Sequence, residues 1–376
     1  MKILINAISA KKGGIVTYTS NLARALQRRG VDFRIAVPQA LAGIPNALPV
    51  PASEYGPMHR FLWEQTGWRR LVKRWQPDIL FSSANYALLN SGMSQVLLVR
   101  EGGLLDPFYI AMTAPEQGVK AAILRHMRRK LILASVAHSD RVLVPTEAVR
   151  TNLLSYAPAA AGKCEVSRYG TLLDVFRAAS RRPWRADGVL RILYVSVYYP
   201  HKSPADLVLA AEQLVAEGVP CRVRLTMEER EIEQSLGSAW DLFHVRRGVA
   251  QGLVELGPVN YADLPEVYGA HDVFAFPSIS ETFGHPMAEA LAAGIPILAA
   301  DTPVNREVLG DAALYHAPLR PSAFAAVLRR LDADPTERDR LIANGRKRAE
   351  TMLDWESHVD HLLRIFEDVL RAGRRG

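Results

Sequence analysis

The chain is 376 residues long, 49% hydrophobic and 23% charged. That balance suits a globular protein of roughly two domains and excludes disordered and fibrous classes. The net charge of +7 hides a division: residues 1–185 carry 26 Lys and Arg against 11 Asp and Glu, and 186–376 carry 20 against 28. A basic half joined to an acidic half turns the first toward something anionic, such as a phosphate-rich substrate or a membrane face.

In chain order, short β-rich apolar runs alternate with longer helical patterns. Strands are expected at Ile3–Ala7, Phe33–Val37, Ile79–Phe81, Val96–Val99 and Arg141–Val144 in the first half. In the second they are expected at Ile192–Ser196, Arg222–Thr226, Val273–Phe276 and Ile297–Ala299. Helices are expected at Ile15–Arg29 and Pro204–Glu217, each stopped by a glycine, Gly30 and Gly218. Apolar strands without period-two alternation, separated by helices, imply parallel sheets covered on both faces. Both halves restart alike, at Lys2-Ile3-Leu4-Ile5 and Arg191-Ile192-Leu193-Tyr194. The expected fold is therefore α/β, two Rossmann-like domains facing a central cleft. Their expected bounds are 1–180 and 188–354, with Ala178–Gly188 as linker and 355–376 as a C-terminal helix that crosses back to the first domain. Ligands of such sheets bind beyond the carboxyl ends of the strands.

No apolar stretch reaches the ~18–20 residues of a membrane span; Ala288–Ala300 is a long one. The N-terminal apolar run is cut off by Lys11-Lys12-Gly13-Gly14, which does not read as a signal peptide. Cys164 and Cys221 are the only cysteines, too few for a disulfide framework or a zinc site, and a reducing cytoplasm is expected.

Chemistry concentrates in Phe276-Pro277-Ser278-Ile279-Ser280-Glu281-Thr282-Phe283-Gly284-His285-Pro286-Met287-Ala288-Glu289, which runs on to Gly294-Ile295-Pro296. A strand ends at Phe276, Pro286 sits where a first-turn proline belongs, and Gly294 stops the helix. The N–H groups around Phe283–Met287 and the helix dipole favour an anion, with a diphosphate as the natural guest. Glu281 and Glu289 can face one ligand, one on a sugar and the other on a ribose. The plainer alternative makes Glu289 a helix-start acceptor and Glu281 a solvated loop residue.

This string resembles the Glu-x7-Glu signature of retaining nucleotide-sugar glycosyltransferases of the GT-B fold, glycosyltransferase family 4. Weaker pieces fall in the family's order: Gly13-Gly14, Leu143–Val149, Tyr169-Gly170-Thr171-Leu172-Leu173-Asp174, His201-Lys202, Leu256-Gly257, Leu264–Tyr268 and Asp301–Val308. The resemblance implies that Lys202 contacts the donor diphosphate, Glu281 the sugar hydroxyls and Glu289 the ribose. It places the backbone of Thr282, Phe283, Gly284 and His285 against sugar and phosphates, and brings Gly13 and Gly14 to the donor from the first domain. It implies a saccharide or lipid-linked acceptor bound mainly by the first domain, in polysaccharide, lipopolysaccharide or glycolipid assembly, and no cofactor beyond the nucleotide sugar. It further implies that the leaving phosphate takes the acceptor's proton, so that no protein base is required. An epimerase of the same fold and a catalytically silent nucleotide-sugar-binding subunit are the alternatives.

Two departures from the family pattern stand out. No arginine precedes Lys202 in Ser196–His201, where His201 or a distant arginine could compensate, and Glu101 stands where a histidine is usual. Glu101 is the candidate facing the donor sugar, with an Arg100–Glu101 surface pair as the alternative. No metal is expected: Asp332-Ala333-Asp334 reads as a solvated helix–helix turn with capping carboxylates, and Lys202 with the helix start must meet the developing charge. The absence of Walker and Gly-x-Gly-x-x-Gly motifs argues against an ATPase or a dehydrogenase. Arg60–Gln76 and Lys120–Leu133 mix apolar and basic residues. Either each lays its apolar side on the core, or they meet an anionic membrane as a peripheral attachment at its inner face. No nucleic-acid partner is expected.

Overall fold

The computed structural model describes residues 1–11, 13–83, 85–170, 173–177, 180–352 and 354–373. Lys12, Thr171, Leu172, Ala178 and Ala179, which belong to features singled out above, lie outside these. Among the described residues, strands form two all-parallel sheets. The first contains β1 (Lys2–Asn6), β2 (Asp32–Val37), β3 (Ala47–Pro49), β4 (Ile79–Ser82), β5 (Gln95–Leu98), β6 (Arg141–Val144) and β7 (Cys164–Val166), in the order β3-β2-β1-β4-β5-β6-β7. The second contains β8 (Leu190–Tyr194), β9 (Cys221–Leu225), β10 (Val254–Leu256), β11 (Val273–Phe276), β12 (Ile297–Ala300) and β13 (Ala313–His316), in the order β10-β9-β8-β11-β12-β13. The strands β4, β11 and β12 are buried along their whole length, which accounts for their largely apolar sequences.

The chain divides into two compact units. One comprises Met1–Asp106, Lys120–Tyr169 and the C-terminal segment from Trp355; the other comprises Pro107–Val119 and Gly170–Asp354. In the first unit the helix Trp355–Gly373 packs on the helix Gly14–Arg28 and on β4. Phe366 meets Phe81 with ring centroids 5.2 Å apart, and Arg29 pairs with Asp360 at 2.8 Å and Glu356 at 2.6 Å. His358 is hydrogen-bonded to the Tyr18 hydroxyl at 3.2 Å, and burial pushes its imidazole down to about 4.

The two basic helices part company. In the helix Pro57–Trp75, Trp68 is fully buried in a cluster with Leu4, Ile8, Val72 and Leu80, and Trp63, Leu71 and Trp75 pack against it. Trp68 is therefore a core residue, and Trp63 and Trp75 turn part of their surface to the same core. The helix Gly118–Ala137 buries Ile132 and Val136 but leaves Ile123, Leu124 and Met127 exposed among its basic residues. No helix among the described residues is long and apolar enough to cross a membrane.

In the second unit the segment read as a linker is tied down. Arg182 N–H donates to the Gly269 carbonyl at 3.1 Å. Trp184 Nε1 donates to Asp332 Oδ1 at 2.9 Å, and Arg185 pairs with Asp332 Oδ2 at 2.7 Å. This corrects the reading of Asp332-Ala333-Asp334 as a solvated turn: Asp332 anchors the 184–185 segment, and Asp334 alone caps, accepting from Glu337 N–H at 2.9 Å.

Asp272 is fully buried just before β11 and accepts from the N–H groups of Arg185 at 3.0 Å and Arg191 at 2.8 Å. Removing its carboxylate leaves two part-buried N–H donors without that partner. Asp272→Ala should destabilise the chain by about 2–4 kcal/mol in denaturant unfolding, and a loss below about 1 kcal/mol would show that water takes over both donors.

Candidate functional site

In the second sheet the chain runs from β8 outward to β9 and β10, then returns to β11 and runs the other way. The loops after β8 and β11 thus diverge from adjacent strands, which opens a crevice at their carboxyl ends. Lys202 comes from the first loop, in the single turn Pro200–Lys202, and Glu281 from the second. Lys202 Nζ donates to Glu281 Oε1 at 2.5 Å, with the two side chains 10% and 9% exposed. The ammonium also lies 5.5 Å from the Phe276 ring centroid.

Backbone bonds fix the lysine's turn. The Tyr194 hydroxyl donates to the Lys202 carbonyl at 2.9 Å. Ile279 N–H donates to the His201 carbonyl at 2.9 Å, and Ser278 Oγ donates to the same oxygen at 3.3 Å. Burial would raise the Glu281 carboxyl, but the Lys202 ammonium and hydrogen bonds from Lys202 and Ser278 outweigh it and hold it below the usual range. His201 stacks on Tyr199, and burial together with the Lys202 charge pushes its imidazole down to about 3. It is neutral at physiological pH, so it does not supply the cation missing from the family pattern.

The loop after β11 leads into the helix His285–Ala293. Its N-cap is Gly284, at φ 74°, with no side chain to cap the first turn. A Cβ at Gly284 would meet Met287 Cε at 2.5 Å, so only glycine fits this left-handed corner. Phe283 turns its side chain into the core, and His285 sets its ring edge-on to Phe283. Thr282 lies between Glu281 and that buried ring, half-buried. Pro286 has no N–H and Met287 N–H donates to the Gly284 carbonyl at 2.9 Å, so the positive end of this helix lies at the backbone of Gly284 and His285.

Glu289, one turn further, is 4% exposed. Tyr268 donates to its Oε2 at 3.2 Å and Tyr261 also hydrogen-bonds to it, yet burial raises its carboxyl to about 7. The two glutamates therefore differ in state: Glu281 is held ionised by an ammonium, whereas Glu289 titrates near neutrality between tyrosines. Sequence reading named neither tyrosine as a site residue. The visible signal was Tyr268 within Leu264–Tyr268, spaced about 20 residues before the second glutamate.

Gly13, Gly14 and Glu101 belong to the first unit, at the carboxyl ends of β1 and β5. Gly13 is the N-cap of the helix Gly14–Arg28 with φ 71°, and Gly14 opens that helix. Glu101 pairs with Arg128 at 2.9 Å, not with Arg100, whose guanidinium lies 4.9 and 5.2 Å from the ring centroids of Tyr18 and Tyr169. Among the described residues no group of His, Cys, Asp and Glu has a metal-ligating arrangement.

Two family profiles match: Glycosyltransferase Family 4 over residues 12–170 and Glycosyl transferases group 1 over residues 246–348. A D-inositol 3-phosphate glycosyltransferase of Thermomonospora curvata is 30% identical over 338 residues, covering 85% of this chain and 73% of its own length. A phosphatidyl-myo-inositol mannosyltransferase of Mycobacterium leprae is 26% identical and covers 96% of this chain and 95% of its own. The structure of Anabaena Alr3699/HepE in complex with UDP-glucose superposes with a TM-score of 0.74 at 15% identity, over 98% of this chain and 100% of that one, a likeness of fold. The chain belongs to the group 1 glycosyltransferases of glycosyltransferase family 4.

Proposed function

We propose that this glycosyltransferase holds the pyrophosphate of a nucleotide-sugar donor at the amino end of the helix His285–Ala293, opposite Lys202, and transfers the sugar with retention and without a metal ion. The observation that carries the reading is the buried Lys202–Glu281 pair beside an uncapped helix start. An ammonium has three N–H donors, of which Glu281 takes one, so two remain for phosphate oxygens. As the bond from the sugar to the diphosphate breaks, negative charge grows on the leaving group, where Lys202 and the helix N–H groups are already oriented. The departing phosphate oxygen takes the acceptor's proton, and the acceptor oxygen bonds to the anomeric carbon on the face just vacated. Glu281, kept ionised, accepts from donor-sugar hydroxyls, and Glu289 accepts from the ribose diol. In the first unit, Gly13 and Gly14 let the backbone approach the donor, and Glu101 faces the donor sugar through its pair with Arg128.

The acceptor is a hydroxyl on a saccharide or lipid-linked molecule. The basic character of residues 1–185 and two relatives named for inositol phosphates or their lipids support a phosphate-bearing acceptor. The exposed Ile123, Leu124 and Met127 beside Lys120 and Arg125 favour attachment to an anionic membrane face from the cytoplasm.

Thermal shift against UDP-, GDP-, ADP- and TDP-sugars identifies the donor, because a ligand of the folded state stabilises it by mass action. With that donor, Lys202→Ala and Glu281→Gln should each lower kcat by about 100-fold or more in protein that is still folded at the assay temperature, although each leaves a buried charge without its partner and lowers the melting temperature. Wild-type rates in both would refute the site. Exhaustive EDTA treatment should leave transfer unchanged, whereas a loss restored by Mg²⁺ or Mn²⁺ would refute the metal-free reading.

Glu289 generates a pH dependence. Protonated, it can accept from one ribose hydroxyl at most; ionised, it can accept from both, so donor affinity should rise with pH through the region where it titrates. Affinity for the intact donor should improve by up to about tenfold between about pH 6 and about pH 8, and Glu289→Gln should flatten the profile. A profile unchanged by that substitution would place the titration elsewhere.

A further inference from the structure

A cavity of about 310 Å³ lies beside the Lys202 turn in the second unit, with Pro200 and Ser203, which bracket His201 and Lys202, in its wall. Three carboxylates line it, those of Glu116, Asp206 and Asp241, and no Lys, Arg or His does. Asp206 is 6% exposed; its carboxylate accepts from the Leu319 backbone N–H, and its Oδ2 has no hydrogen-bond partner among the described residues. Asp241 accepts from Ala205 N–H at 3.0 Å and from the Tyr198 hydroxyl at 2.8 Å.

Both aspartates stand in first turns, of the helices Pro204–Ala216 and Ala239–Ala250, where the dipole favours a carboxylate. That placement does not satisfy them. Burial and the Asp241 charge push Asp206 up to about 7, and burial, with Glu116 adding to it, pushes Asp241 up to about 6. The cavity is thus a cluster of acidic groups, partly protonated near neutral pH, with no basic residue in its lining. The sign of its remaining charge excludes the nucleotide sugar and any phosphorylated acceptor. The described acids do not converge as metal ligands. Apart from the hydroxyl residues Thr113 and Ser203, the remaining wall is mainly apolar and aromatic: Trp240 is 60% exposed, Met112 is 51% exposed, and Leu319 belongs to the lining. A cation with a hydrocarbon body fits both halves, its charge on the carboxylates and its flank on the indole.

We propose that this cavity binds an organic ammonium ion, with the nitrogen seated between the Asp206 and Asp241 carboxylates, Glu116 at the mouth, and the hydrocarbon against Trp240 and Met112. The proposal does not depend on the assignment of the donor pocket.

Isothermal titration of the full chain with n-pentylammonium chloride tests it, with 1-pentanol as the neutral isostere. Pentylammonium should bind and release protons as the carboxylates ionise, so the heat should vary with the ionisation enthalpy of the buffer, and 1-pentanol should give none. Asp206→Asn should weaken binding about tenfold or more. Glu116→Gln, at an exposed position that cannot compromise folding, should weaken it a few-fold and decides the matter if Asp206→Asn does not fold. Absence of heat with the wild type, equal binding of 1-pentanol, or unchanged affinity in the variants would overturn the proposal.

Discussion

A buried ammonium–carboxylate contact is an expensive thing to build, and the second unit is arranged around one. Taking Lys202 and Glu281 out of water costs several kcal/mol per ion before their attraction returns any of it, so the pair is a poor device for stability. It persists because its surroundings hold it: the Tyr194 hydroxyl on the Lys202 carbonyl, Ser278 and Ile279 N–H on the His201 carbonyl, and the Phe276 ring beneath the ammonium. Each of these groups comes from β8, from β11 or from the loop after β11. The result is a cation fixed in a dry place with donors left over, which is what stabilising a leaving diphosphate requires.

Parallel sheet topology explains why those two residues meet although 79 positions separate them. Only where strand order reverses do two loops leave adjacent strand ends in opposite directions, and Lys202 and Glu281 occupy the pair at β8 and β11. The first sheet reverses between β1 and β4, and Gly13 lies beyond β1. The candidate carboxylate Glu101 lies beyond β5 rather than at that reversal, and is matched by Arg128.

Much of this was legible in the residues, and the failures have physical causes. Every central strand was read within a residue or two, because burial keeps most of its positions apolar, even where an arginine interrupts the run as in β2 and β9. The strands not anticipated, Ala47–Pro49, Cys164–Val166, Val254–Leu256 and Ala313–His316, are the four sheet edges. They are short, and their polar residues and Pro49 are what edges tolerate. At the site, the Glu-x7-Glu spacing marked Glu281 and Glu289, but a linear motif carries no partner information. That Lys202 engages Glu281, that tyrosines hold Glu289, and that Arg128 rather than Arg100 answers Glu101 are all long-range facts. The tryptophans of Pro57–Trp75 mislead for the reverse reason, since an amphipathic pattern records an apolar side without saying whether core or lipid covers it. Asp332 likewise looked like a turn residue until Trp184 and Arg185 were found upon it.

The central claim is that peptide N–H groups and one ammonium grip a pyrophosphate with no intervening ion. A crystal structure with an intact nucleotide sugar, grown in the presence of a chelator, tests it most directly. Pyrophosphate oxygens within hydrogen-bonding distance of Lys202 Nζ and of the backbone at Gly284–Met287, with Glu289 on the ribose, is the expected result. A pyrophosphate lodged elsewhere, or one ordered only when a divalent cation is restored, would contradict it.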